Sequence, residues 1–407
     1  MFKIKTLNEI SPVYKDILSE NEYAVSKDEA NPDAIIVRSA DMHEMEVPES
    51  LLAVGRAGAG YNNIPVEEYG KRGIVAFNTP GANANAVKEL ALAALLLSAR
   101  DIVGGIEWCK TIADQGAAVP KLVEKGKKQF VGPELKGKTL GVIGLGGIGG
   151  LVANAAISLG MKVLGYDPYI SVDNAWKLAR EIVHANNEEQ IYAQCDYISI
   201  HIPLRDDTRG SFNASVFAKM KKGAVLLNLA RGELVDNADV LAALESGQLR
   251  RYVTDFPNAD IIGKSGVIAI PHLGASTPES EDNCVDMVSR QIDEYLKYGS
   301  IRNSVNFPNC ELGPNFHQRI AIMHANVPNT IGKITSAVAS VGINIDNMTN
   351  KSRGEFAYTV LDLDSPVKSS MVAYLNEMDW VYRVRVFDQS PHAVVLPPEA
   401  MPLAEAE

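Results

Sequence analysis

Residues 137–149 read GKTLGVIGLGGIG, and their order decides the fold. The apolar run at 139–143 predicts a strand, and the residues after Gly146 predict the opening of a helix. Between them the glycines fall as Gly144, Gly146 and Gly149. Gly144 permits a tight turn, Gly146 lets backbone approach a pyrophosphate, and Gly149 lets helix and strand pack closely. The helix start at Gly147 and Ile148 offers free N–H groups and a positive dipole end to phosphate. Eighteen residues past Gly149, the next predicted strand ends in Tyr166-Asp167-Pro168. A carboxylate there accepts hydrogen bonds from an adenosine ribose and repels a 2′-phosphate. The spacing therefore predicts a Rossmann-type site for NAD rather than NADP.

Outward from this point the chain stays regular. Strands are predicted at 139–143, 162–166, 197–202, 224–229, 251–255 and 267–270, separated by helices or polar loops. That alternation predicts a parallel, doubly wound sheet. A long helix is expected over 279–298. Upstream, strands at 34–37 and 51–55 and the glycine-punctuated stretch to Asn78 precede an Ala/Leu helix, buried, at 84–99. The polar segments of 102–131, with the basic run Lys125–Lys128, read as solvated surface. Downstream, RNSVNFPNCELGP at 302–314 reads as a linker. Beyond it, strand 319–324, helix 331–341, strands 343–350 and 356–362, helix 369–378 and strand 381–387 give a βαββαβ order. The Pro- and Glu-containing tail after Gln389 reads as frayed.

Composition bounds the function. With 407 residues, 46% hydrophobic and 22% charged, the chain has the make-up of an ordinary globular protein of two to three domains. The most apolar stretch, 90–98, is too short to span a bilayer. The N-terminus lacks a secretory apolar run. Four separated cysteines, with no C-x-x-C pair or zinc-ligand spacing, predict a reducing, cytoplasmic setting and no metal site. A net charge of −11 excludes a nucleic-acid sheath. A small anionic substrate remains compatible, because a few local arginines can hold it.

Three more segments end predicted strands, where doubly wound folds place ligands. In Asn228-Leu-Ala-Arg231-Gly232, an arginine beside glycine offers a planar fork to a carboxylate. The stretch 254–260, TDFPNAD, carries Asp255 and Asp260, and Ile270-Pro271-His272-Leu-Gly274-Ala275 carries an imidazole. Hydride transfer between a 2-hydroxy and a 2-oxo acid needs a cation for the carboxylate and an acid–base group for the hydroxyl. Arg231 suits the first task and His272 the second, with Asp260 as the carboxylate that orients the ring.

Together these segments resemble the D-isomer-specific 2-hydroxyacid dehydrogenases. The likeness is carried by VRSA (37–40), GRAGAGYNNI (55–64), NTPGANANAVKEL (78–90), GKTLGVIGLGGIG (137–149), NLARGELVD (228–236) and PHLGAST (271–277). It implies a flavodoxin-like substrate domain over 1–95 and 275–305, enclosing a Rossmann-type NAD domain over 96–274. It implies Arg231, Asp260 and His272 as catalytic residues, although the family's usual carboxylate is Glu, one methylene longer than Asp260. Ala59, Ile148, Ile202, Pro203, Leu229, Ala230, Asp255, Gly274 and Ala275 would line the cofactor.

Within the family the likeness is to members that oxidise 3-phosphoglycerate in the first step of L-serine synthesis. It implies that Arg38 and Arg56 hold the substrate's phosphate end, with Ser39, Gly58 and Asn83 completing the site. It also leaves room for reduction of 2-oxoglutarate. Residues 319–388, after a linker over 306–318, resemble a ferredoxin-like ACT domain through HANVPNTIGKI (324–334) and VGINI (341–345). That implies L-serine as an effector held by His324, Asn326 and Asn344 at a domain–domain interface, and a homo-oligomer, dimer or tetramer. Asn329 stands where the ACT pattern has glycine, and Asn tolerates the left-handed conformation. Two other readings are a dehydrogenase of another D-2-hydroxy acid and a non-catalytic NAD-sensing module.

Overall fold

The computed structural model describes residues 1–388, so the predicted frayed tail lies outside the described residues. The chain forms two compact units, a discontinuous one of Met1–Ala82 with the chain from Glu281 onward, and a central one of Asn83–Ser280.

The discontinuous unit opens with a parallel sheet of β1 (Phe2–Leu7), β2 (Tyr23–Ser26), β3 (Ala34–Val37), β4 (Ala53–Arg56) and β5 (Val75–Phe77). Its order, β2-β1-β3-β4-β5, is the flavodoxin-like one, with a topological switch point between β1 and β3. The run AIIV in β3 is buried throughout, as a strand covered on both faces requires.

In the central unit lie β6 (Thr139–Ile143), β7 (Lys162–Tyr166), β8 (Val183–His184), β9 (Tyr197–Ile200), β10 (Ala224–Asn228), β11 (Leu249–Thr254) and β12 (Val267–Ala269). All pair in parallel in the order β12-β11-β10-β9-β6-β7-β8, so the chain reverses direction between β6 and β9. The six strands predicted here all form. The helix Ala84–Ala99 belongs to this unit and packs on the helix Gly147–Ser158, although the sequence division put most of it with the substrate domain. Its burial is one-sided, and Leu96 stays 44% exposed. The stretch expected to be plain surface folds into helices Ile102–Thr111 and Val119–Gly126. Lys125, Lys127 and Lys128 are exposed, as expected.

The discontinuous unit resumes with helix Pro278–Tyr298 and an antiparallel sheet of β13 (Gln318–Ala325), β14 (Ile345–Arg353), β15 (Phe356–Leu363) and β16 (Val381–Asp388). Its order β14-β15-β13-β16, with helices Thr330–Ser340 and Ser369–Asn376, is the expected βαββαβ arrangement. Asn329 caps the first of these helices at φ 69°, in the left-handed region that glycine was expected to supply.

The linker reading of 306–318 is corrected by burial. Phe307 and Cys310 are fully buried, and the Asn306 side chain bonds the backbone of Ala76 and Ile74 along the outer edge of β5, beside a backbone bond from Val305 to Ala76. An amide side chain and a short backbone bridge together pair that edge, so a polar, Pro-rich sequence packs as core.

The βαββαβ sheet is also not a separate body. Its helix-free face shares one apolar core with β1, β2 and the long helix, through Met323, Phe356, Tyr358 and Phe387. Two buried arginines seal the junction. Arg319 pairs with Asp362 at 2.6 Å and donates to the carbonyl of Tyr298, while Arg385 donates to those of Tyr295 and Leu296. These donors reach carbonyls of the last turn of helix Pro278–Tyr298, where the helix dipole favours cations.

Candidate active site

In the central unit the switch point between β6 and β9 builds a phosphate cradle. Gly144 sits at φ 89°, and a Cβ there would stand 2.5 Å from the carbonyl oxygen of His201. A Cβ on Gly149 would lie 1.9 Å from the Gly144 carbonyl oxygen, so only glycine lets the helix start this close to the strand end. Around Gly146 the space is open: its Cβ would meet nothing within 4 Å. Gly146 caps helix Gly147–Ser158 without any side-chain bond, so Gly147 and Ile148 begin a helix whose N–H groups face outward uncapped.

Asp167 lies at the end of β7 and is held by backbone: its Oδ2 accepts from Leu145 N–H at 2.8 Å and its Oδ1 from Tyr169 N–H at 2.9 Å. Both oxygens keep further lone pairs for a ribose diol. A cavity of about 550 Å³ opens beside it, lined by Gly146, Asp167, Tyr169, Ile202, Pro203 and Arg205 among others. Among the wall residues that went unmarked in the sequence are Tyr169, His201 and Arg205. The Arg205 guanidinium lies over the Tyr169 ring at 5.6 Å, and burial pushes the His201 imidazole down to about 4, so the ring is neutral there.

The second part of the central site is at the ends of β10 and β11. Buried Asn228 organises the loop after β10: its Oδ1 accepts from Ala230 N–H and its Nδ2 donates to the Arg231 carbonyl at 2.8 Å. Leu229 is buried, whereas Arg231 is exposed. Asp255 ends β11, buried, with no hydrogen-bond partner at Oδ1 among the described residues. Burial pushes its carboxyl above the usual range, while the charges of His272 and Arg231 and the Gly274 N–H pull it back. Gly274 lies close, since a Cβ there would be 3.3 Å from Asp255 Oδ2, and Ala275 follows it half-buried. His272 packs on the Phe256 ring, centroids 4.6 Å apart, and both face a cavity of about 430 Å³ with Asp255 and Glu233.

Asp260 does not join this group. It is exposed, its N–H is bonded to Asn258 Oδ1 at 3.0 Å, and no hydrogen bond or ion pair links it to His272. Asn258 closes the turn that holds residue 260, and the carboxylates on the His272 cavity are Asp255 and Glu233. Glu233 was missed in the sequence, though its place two residues past Arg231 in the same tight turn was a usable signal.

The discontinuous unit holds the expected anion-binding residues at its own switch point. Arg38 and Ser39 follow β3, and Asn8, at φ 72° after β1, turns its Oδ1 onto the N–H groups of Arg38, Ser39 and Ala40. Arg56 ends β4 and donates from Nε to the Arg38 carbonyl at 3.1 Å. Its guanidinium passes over Gly58, whose φ of 155° suits glycine, and a Cβ there would lie 2.1 Å from Nη1. Ala59 is fixed through its carbonyl by Asn78 Nδ2 at 2.6 Å. Asn83 falls in the central unit, its Oδ1 buried without a partner among the described residues.

Within one chain, the three residues expected to hold an effector at a domain–domain interface fall at two ends of the sheet. His324 is buried, and both ring nitrogens are used internally, by the Ala325 carbonyl and Thr359 Oγ1 at 2.8 Å each. Asn326 donates to the Gly354 carbonyl. Asn344 precedes β14, whose Ile345 pairs with Leu363, while His324 pairs with Ala357. The pairing register puts Asn344 and His324 at opposite ends of the sheet, roughly 20 Å apart along the strands.

Comparison with known proteins agrees with the central geometry. Residues 92–274 match the family model for the D-isomer specific 2-hydroxyacid dehydrogenase, NAD binding domain. Residues 92–274 are a domain of this family. Curated relatives include D-3-phosphoglycerate dehydrogenases of Methanocaldococcus jannaschii, 37% identical over 68% of this chain and 52% of theirs, and of Rattus norvegicus, 37% identical over 72% and 54%. The chain thus spans about half the length of these relatives. Among solved structures, the NAD⁺-bound 3-phosphoglycerate dehydrogenase of Entamoeba histolytica aligns with a TM-score of 0.59 at 27% identity, over 75% of this chain and 98% of that one. D-mandelate dehydrogenase of Rhodotorula graminis aligns with a TM-score of 0.62 at 21% identity, a likeness of fold.

NAD is the cofactor of the matched domain, and the residues present fit it. Gly146 leaves room for a pyrophosphate, the helix after it is uncapped, Asp167 is ready for a ribose, and Asp255 Oδ1 is buried without a partner.

Proposed function

We propose that this chain is an NAD-dependent dehydrogenase that oxidises 3-phosphoglycerate to 3-phosphohydroxypyruvate, the first step of L-serine synthesis. The reading rests on one set of groups in each unit. Arg231, Asp255 and His272 share one site in the central unit, and Arg38 and Arg56 share one in the flavodoxin-like unit. Similarity to D-3-phosphoglycerate dehydrogenases supports the choice among 2-hydroxy acids.

NAD, when bound, supplies the acceptor for the hydride leaving C2. Arg231 holds the substrate carboxylate by paired N–H donors, on a loop that Asn228 fixes. His272 takes the C2 hydroxyl proton, its ring packed on Phe256 and facing the Asp255 charge. Arg38 and Arg56 give the phosphate end a cationic seat on an otherwise acidic chain. The protein works in the cytoplasm as a homo-oligomer. L-Serine, as an effector, would meet Asn326 of one copy and Asn344 of another, because one chain holds them apart.

NADH oxidation with 3-phosphohydroxypyruvate, beside hydroxypyruvate and 2-oxoglutarate at matched concentrations, tests the reading. A strong preference for the phosphorylated acid, lost in Arg56→Ala, is the expected result. Equal turnover of all three acids would make the chain a general 2-hydroxyacid dehydrogenase. No turnover would make it a binding module.

A further inference from the structure

Arg38 is already in use. Its Nη2 is ion-paired with Glu281 Oε1, and both side chains are 39% exposed. Glu281 lies in the first turn of helix Pro278–Tyr298. The charges of Arg56, Arg38 and Glu281 all reach the buried thiol of Cys284, which places the three groups in one neighbourhood. Backbone offers an incoming anion little here, because Asn8 Oδ1 already occupies the N–H groups of residues 38–40. The guanidinium is what the loop after β3 presents to a phosphate, and a carboxylate of the same unit is on it.

We propose that Glu281 is a specificity-determining counter-ion that competes with the substrate's phosphate for the Arg38 guanidinium. This rests on the assignment of Arg38 and Arg56 as the phosphate seat. A phosphate approaching Arg38 meets both a cation and a carboxylate bonded to it. The dianion must displace Glu281 or share the guanidinium with it, and either course weakens binding of the phosphorylated acid alone. When product leaves, Glu281 returns to Arg38, so the cation is not left without a partner. A counter-ion of this kind keeps phosphate affinity low enough for release, at some expense of discrimination against unphosphorylated acids.

The competing effect is positional, since Glu281 also holds the Arg38 side chain in place. Half-exposed ion pairs hold their partners weakly. Repulsion of a dianion by a carboxylate on the same guanidinium is a stronger effect at contact distance. Competition therefore outweighs positioning.

Glu281→Gln keeps the shape and a hydrogen-bond acceptor but removes the charge. Its KM for 3-phosphohydroxypyruvate is expected to fall roughly fivefold, with kcat moving less and the KM for hydroxypyruvate nearly unchanged. Salt is expected to raise the phosphorylated substrate's KM more steeply in the variant, because the seat now carries one more net positive charge. A KM for the phosphorylated acid that rises, stays constant, or falls equally for both acids would overturn the proposal. Arg56→Ala in the wild-type background separates the two ideas. If it raises the KM of both acids equally, the phosphate seat itself is misassigned. If it raises only that of the phosphorylated acid and Glu281→Gln does not lower KM, only the competition is wrong.

Discussion

Two glycines three residues apart should respond to the same substitution in opposite ways. A methyl at position 149 would sit 1.9 Å from the Gly144 carbonyl oxygen, about 1.5 Å inside ordinary contact at 3.4 Å. Both partners are backbone, so strand and helix must separate. Overpacking of this kind costs about 1–3 kcal/mol or more, and alanine's better helix propensity returns up to about 1 kcal/mol. A net loss near 2 kcal/mol lowers Tm by about 4–8 °C for a unit of this size. At position 146 the same methyl meets nothing within 4 Å, and φ −68° suits any residue. Gly146→Ala should leave Tm without NAD unchanged or raised by a few degrees, since alanine restricts the unfolded chain by about 0.4–1 kcal/mol. The methyl would instead stand in the pyrophosphate's approach, and NADH affinity should drop about 10- to 100-fold, or about 1.4–2.7 kcal/mol. Thermal unfolding of both variants without cofactor and NADH titration by fluorescence provide the readouts. A Gly146→Ala protein that binds NADH like the wild type would refute the placement of the pyrophosphate. A Gly149→Ala protein of unchanged Tm would refute the packing argument.

Other outcomes follow from buried charge. Asp255 has its carboxyl raised by burial, so between its unfolded and folded pKa the folded state binds more protons and stability falls as pH rises. Asp255→Asn should therefore raise Tm at pH 7 while lowering activity, with the gain fading as pH drops toward about 4; a lower Tm at pH 7 would contradict this. Asp362→Ala would leave the buried Arg319 guanidinium without its carboxylate and should cost about 3–5 kcal/mol. Urea unfolding that changes by less than 1 kcal/mol would show that the pair does not anchor the βαββαβ sheet.

The glycine fingerprint, the Asp167 that follows it and the strands of the central sheet could be read directly from residue order. Each depends on local rules: a tight turn, a helix N-terminus, an apolar run of strand length. Arg231 and His272 were legible for a similar reason, because they end such runs beside glycine or proline. Asp260 was not, since whether a carboxylate meets an imidazole depends on how the turn at Asn258 closes, and the His272 cavity is lined by Asp255 and Glu233 instead. Residues 306–318 read as linker because Asn and Pro avoid regular structure. Only the packed fold shows Asn306 pairing with the edge of β5 and Phe307 in the core.

Sequence order alone determined the Rossmann unit, its NAD fingerprint and the βαββαβ order, because those follow from contacts between neighbours in the chain. Tertiary structure decided that the βαββαβ sheet shares a core with the flavodoxin-like sheet, that Arg319 and Arg385 seal the end of the long helix, and that Glu281 lies on Arg38. Residues 38 and 281 are far apart in sequence, and no local pattern encodes which guanidinium a distant carboxylate will meet. That pairing is fixed by the folding of β3 and the long helix into one unit.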